Sequence, residues 1–158
     1  MARIQIRDFH DDDLDAIVRL WWEVTSSQEQ PVYSLAEVTA SCSADHAVVA
    51  IQGERVVGAA VARAAHAQGW IVFFGIGEHA DGQDVSGLLL DSLERKMAPL
   101  GLSALSVLMP ESGRIDVLTL NGFELRHNLR YLERRMPVLR REVDLLKDVG
   151  GRILPRHL

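Results

Sequence analysis

The chain has 158 residues, is 47% hydrophobic and 25% charged, and carries 17 Lys+Arg against 22 Asp+Glu for a formal charge of -5. That size and apolar content suit one compact domain with a real core and exclude the low-hydrophobicity, high-charge signature of disorder. A single cysteine, Cys42, excludes a disulfide scaffold, and with no secretory leader and no run of about 18 apolar residues the expectation is a soluble, cytoplasmic protein without a membrane partner.

The opening R-I-Q-I-R sets Ile4 and Ile6 on one face of a half-buried strand. Asp11, Asp12 and Asp13 then mark a helix start, where negative charge is favoured, and Leu14, Ile17, Val18 and Trp21 recur at helical spacing. Pro31 breaks the run, and Ser34 is placed to cap a short second helix over Leu35 to Cys42. A-V-V-A-I and V-V-G-A-A-V-A-R, joined at Gln52-Gly53-Glu54, predict an antiparallel hairpin, and Trp70 to Ile76 a third strand. From Val85 the period changes: Val85, Leu88, Leu89, Leu93 and Met97 share a helical face that Pro99 and Gly101 end. Ser103 to Met109 is expected as a strand and Glu111 to Leu120 as a short helix. Phe123 to Arg126 with Leu129 to Met136 make a last hairpin, and Val138 to Val149 one more amphipathic helix.

This order predicts an α/β (α+β) fold: a mixed, largely antiparallel central sheet of about six or seven strands, helices on both faces and a C-terminal helix. The expected division is a domain over residues 1–136 and a helical extension over 137–158. Charge is uneven, since residues 113–158 hold ten Lys/Arg against six Asp/Glu. The acids interleave with the arginines and no aromatic ladder accompanies them, so a solvated face is expected and no nucleic-acid partner. The six histidines are scattered without the spacing of a zinc site, so no metal is expected. Cys42 lacks a nucleophile motif and is expected as a small buried hydrophobe.

Over about residues 3–136 the order and spacing of I-Q-I-R-D-F, D-L-D-A-I, V-V-G at Val56 to Gly58, L-L-D-S-L-E at Leu89 to Glu94 and N-G-F at Asn121 to Phe123 resemble the GNAT superfamily of acyl-CoA-dependent N-acyltransferases. The resemblance implies that the L-L-D-S-L-E helix turns its N-terminus toward the pyrophosphate of coenzyme A. In the family a loop of the form Arg/Gln-x-x-Gly-x-Gly/Ala precedes that helix, because glycine lets backbone N–H groups approach phosphate. Here the stretch reads D-G-Q-D-V-S, with Asp81, Asp84 and Ser86 at the three defining places. A carboxylate about 4 Å from a phosphate oxygen is repelled by about 1 kcal/mol in water and about 4 kcal/mol at an effective dielectric of 20. Two readings stay open: Asp84 caps the helix itself, or the loop admits pyrophosphate through Gly82, Gln83, Val85, Ser86 and Gly87, with Ile76 closing the strand beside the donor.

The family's frequent acidic Tyr, four residues before the late G-F, corresponds here to Leu118. Glu78 and His79, at the end of the third long strand, are the candidate proton acceptors, and backbone N–H groups over Phe73 to Ile76 are the candidates to polarise the thioester. Trp21 and Trp22 point to different sides of their helix, so one belongs to the core; Trp22 and Tyr33 are the candidates to bind the acceptor. Acetyl-CoA or another acyl-CoA is the implied donor, and a small-molecule or peptide amine the acceptor. The acidic amino-terminal part suits a cationic amine. The alternatives are a GNAT-like binding or regulatory module that has lost acyl-CoA binding, and an interaction protein that forms a homodimer through the C-terminal helix.

Overall fold

The structure, a computed structural model, describes residues 3–26, 31–78, 80, 84–109 and 115–126. The chain divides into units Met1–Glu124 and Leu125–Leu158, and every element below lies in the first. Five strands form one sheet in chain order: β1 (Ile4–Asp8), β2 (His46–Gln52), β3 (Arg55–Ala65), β4 (Gln68–Ile76) and β5 (Ala104–Val107). All neighbours are antiparallel except β4 and β5, whose parallel pairing needs the crossover that helix α3 (Val85–Met97) supplies.

Helices α1 (Leu14–Thr25) and α2 (Leu35–Ala44) bury Ile17, Leu20, Trp21, Val38 and Cys42 against one set of strand residues, including Val49, Ala59, Val61 and Phe73. On the other face α3 buries Leu89, Leu90, Leu93 and Met97 against Val48, Ala60, Ala62 and Ile71, and Leu118 of α4 (Ile115–Leu120) joins them. The sheet thus has a core on each side, which is why its middle strands are almost continuously apolar.

Several details depart from the expectation. Leu14 and Leu88 are largely exposed and Val18 only half-buried, while Leu20 and Leu90 take core places. The first helical start is a 3-10 turn over Asp11–Asp13, and Asp13 is buried because it answers Arg7 on β1. The two form a bidentate pair, Nη1 to Oδ2 at 2.7 Å and Nη2 to Oδ1 at 2.9 Å, and the His10 N–H donates to Oδ2 at 2.8 Å. The β3–β4 turn falls at His66–Ala67, ahead of Gly69, with both residues at positive φ. Phe123–Arg126 carries no strand structure, and its expected partner Leu129–Met136 and the expected helix over 138–149 lie outside the described residues. Ser34 does cap α2, accepting from the Glu37 N–H at 3.2 Å while the Glu37 carboxylate accepts from the Ser34 N–H at 2.7 Å.

Candidate functional site

The register of β4 on β3 slips at one place. Ala62 pairs with Ile71 and Val61 with Phe73, so Val72 is an extra residue. The alternation of faces slips with it. Ile71, Phe74 and Ile76 pack on the α3 side, whereas Val72 and Phe73, adjacent in sequence, both pack on the α1/α2 side. The pairing of β4 with β5 ends at the same level, at Ile71 and Val107, although β4 runs on to Ile76. Past that point the β5-facing edge of β4 has no strand ladder among the described residues.

A cleft of about 90 Å³ occupies the gap on the α1/α2 side. Its lining includes Phe73 and Phe74 of β4, Val107 at the end of β5, and Trp21, Val24 and Tyr33. Gly75 lets α1 approach: a Cβ there would stand 2.5 Å from the Phe73 ring and 3.0 Å from Val24 Cγ2. Trp21 is buried and meets Trp22 edge-on, ring centroids 5.0 Å apart. Trp22 itself is 60% exposed and lies off the cleft; its neighbour lines it instead. Tyr33 does line it, and burial first, with the Glu37 charge second, pushes its phenol above the ordinary range. It is therefore protonated and a donor at neutral pH.

At the far end of β4 the Gly77 N–H donates to Val57 O at 2.7 Å, and exposed Glu78 follows. Ile76 ends the strand and packs toward α3. His79, Asp81, Gly82 and Gln83 lie outside the described residues. The α3 N-terminus shows the self-capped arrangement: Asp84 Oδ1 accepts from the Gly87 N–H at 2.9 Å and from Ser86 Oγ at 2.8 Å. Those two donors, Gly87 first, hold the Asp84 carboxyl below the usual carboxylate range. Gly87 permits the contact, since a Cβ would collide with the Asp84 carboxylate.

Two residues were not legible as site residues. Asn121, after α4, places its Oδ1 3.2 Å from where a Gly87 Cβ would stand and donates from Nδ2 to Val117 O at 2.8 Å. The N-G-F string was its only signal. Glu23 accepts from Arg19 Nη1 on Oε1 at 3.2 Å, but its Oε2 is buried beside Gly77 with no hydrogen-bond partner among the described residues. In sequence it is merely the (i, i+4) partner of Arg19. Leu118, at the place of the family's Tyr, is a buried core residue. Burial, with the Asp13 charge second, pushes the Cys42 thiol up to about 12. Among the described residues no three His, Cys, Asp or Glu side chains gather as a metal site, and no helix is long and apolar enough to cross a membrane.

No protein-family model matches the chain, and no curated protein matches it. Solved structures do. The chain is similar to aminoglycoside N-acetyltransferase AAC(6')-Iy in complex with CoA, with a TM-score of 0.68 and 15% identity over 86% of this chain and 97% of that one. An agmatine N-acetyltransferase gives 0.66 and 14%, over 83% and 87%. The ribosomal-protein-alanine N-acetyltransferase of Brucella melitensis biovar Abortus 2308 gives 0.65 and 17%, over 85% and 100%. These likenesses show the fold: this chain has the GNAT fold.

Proposed function

We propose that the protein is an acyl-CoA-dependent N-acyltransferase, with acetyl-CoA as donor and an amine as acceptor. The observation that carries the reading is the departure of β4 from β5 at Ile71 and Val107, where the bulge at Val72 turns Phe73 into the cleft. Such a gap exposes strand N–H groups over Phe73 to Ile76 to a thioester carbonyl, where preorganised donors stabilise a developing oxyanion. The amine nitrogen attacks that carbonyl, the C–N bond forms, the C–S bond breaks, and the proton lost by nitrogen ends on water or on the leaving thiolate. Glu78, with His79, is the proposed proton acceptor on the way. Several of the similar structures are complexes with coenzyme A, which supports the same donor here.

Val85, Ser86 and Gly87, with Gly82 and Gln83 before them, are the proposed pyrophosphate donors. The helix start fits that role once Asp84 turns aside, because its first-turn N–H groups have no partner within the helix. Tyr33 is kept as an acceptor-binding residue and Trp22 as a rim residue. We further propose cytoplasmic location, no nucleic-acid or membrane partner, and a homodimer through residues 137–158. Light scattering on the full chain should then give twice 17.6 kDa.

Calorimetric titration of acetyl-CoA and of free coenzyme A into the unmodified chain and into Asp84→Gly tests the central reading. Micromolar binding that tightens at least tenfold in the variant is expected. Failure of both proteins to bind either compound overturns it.

A further inference from the structure

The acidic half of the chain suits a cationic acceptor, whereas the described lining of the cleft is largely apolar. Every described residue lining it is apolar or aromatic except Thr25 and Tyr33. The Thr25 hydroxyl is already committed, donating to Trp21 O at 2.7 Å. That leaves the Tyr33 hydroxyl as the polar side-chain group available to a ligand among the described residues lining the cleft. At the rim, Val32, before α2, and Leu108, after β5, are 44% and 47% exposed, apolar surface with nothing in the described residues covering it.

We propose that the acceptor is a primary amine with a short, uncharged apolar body, an alkyl or arylalkyl amine, and that Val32 and Leu108 set this choice. The inference rests on the acyltransferase reading and names its substrate class. The volume fits: about 90 Å³ is less than the roughly 150 Å³ that holds a benzene in an apolar cavity, so a branched alkyl group enters whole and an aromatic ring by its edge. The chemistry fits as well. Each methylene moved from water into such a site improves binding about fourfold. A second cationic group, by contrast, loses water there and meets no carboxylate among the described residues that line the cleft. The Tyr33 phenol, protonated at neutral pH, accepts an ammonium or donates to a neutral amine without demanding a second charge.

The test is a set of acceptors run with acetyl-CoA and followed by release of free thiol: propylamine, butylamine, isopentylamine, phenethylamine, agmatine and spermidine. Expected is a KM that falls about fourfold per methylene from propylamine to isopentylamine, and lies tenfold or more below those of agmatine and spermidine. Val32→Asp and Leu108→Asp, both at half-exposed positions that tolerate a polar group, should each raise the KM for isopentylamine and lower that for agmatine. A smaller KM for either polycation than for isopentylamine in the unmodified chain overturns the proposal, as does a preference that neither variant shifts. Calorimetry of isopentylamine and spermidine without donor separates this from the acyltransferase reading. Tighter binding of isopentylamine with no turnover of any amine sinks the enzyme and keeps the selectivity, whereas equal binding, or none, sinks the selectivity whatever the turnover.

Discussion

Asp13 and Asp84 sit at two helix starts and carry the same signature in sequence, yet they do different things. Asp84 caps from its own chain neighbours, Gly87 and Ser86, so its role follows from spacing alone and was legible. Asp13 answers Arg7 across six residues and a change of element, and no local pattern announces that pairing. The Arg7 guanidinium, then the His10 N–H, hold the Asp13 carboxyl below its ordinary value. A depressed carboxyl contributes stability that is present above the unfolded-state value near pH 4 and is lost as pH falls through the folded-state value. Asp13→Asn should therefore cost about 1 to 3 kcal/mol at pH 7, with the gap to the unmodified chain closing below about pH 4. Urea titration at pH 7, 5 and 3 measures it, and a gap independent of pH would show that packing, not charge, is what Asp13 provides. Glu23 escaped notice for the reverse reason: a plausible local partner, Arg19, concealed a carboxylate oxygen left without one.

Secondary structure was legible wherever apolar periodicity is strong, as in α1, α3 and the middle strands, and Ser34 as a cap marked the start of α2. What periodicity misplaces is a turn that lacks turn residues. The strand expected from Trp70 begins at Gln68, and the chain reverses at His66 and Ala67, with φ of 53° and 63°. Both central residues at positive φ make a hairpin turn that normally calls for Asn-Gly, and its twist suits the strands better than the residues suit it. Ala67 is tied there, its carbonyl accepting from the Ser103 N–H at 2.8 Å. Ala67→Gly keeps that bond and relieves the left-handed backbone, so it should stabilise the fold by about 1 kcal/mol, whereas a glycine at a right-handed strand position costs stability. Thermal melting of this variant beside Ala59→Gly, in the middle of β3, distinguishes the two; a lowered Tm for Ala67→Gly would mean that the turn is not strained. The bulge at Val72 was likewise hidden, because an unbroken I-V-F-F run gives no hint of which residue is extra.

At the level of the whole molecule, element order disclosed the fold, whereas overall charge carries no information about the lining of the cleft. Net charge reports the solvated exterior, and the cleft wall is contributed by a few apolar residues from α1, the chain before α2, β4 and β5 that no single stretch brings together. Cys42 shows the interior at the same scale. Its thiol, raised to about 12 by burial, stays protonated in the folded chain while the unfolded thiol ionises near pH 8.5. Stability should thus fall as pH rises beyond that value, by about 2 kcal/mol at pH 10, and Cys42→Ala should flatten that decline although it lowers stability at pH 7. Denaturant midpoints across pH 7 to 10 measure both. The order of the strands, β1 to β5 in space as in sequence, has a kinetic consequence. The hairpins from His46 to Ile76 close over short loops, whereas β1 and β5 must each return across intervening helices to find their partners. Loop-closure entropy therefore favours a nucleus in β2, β3 and β4 that grows outward by addition at its edges. Truncations such as Val61→Ala should slow folding, and Ile4→Val should mainly hasten unfolding. The gap beside β4 would then be among the last features of the molecule to form, and among the first to open.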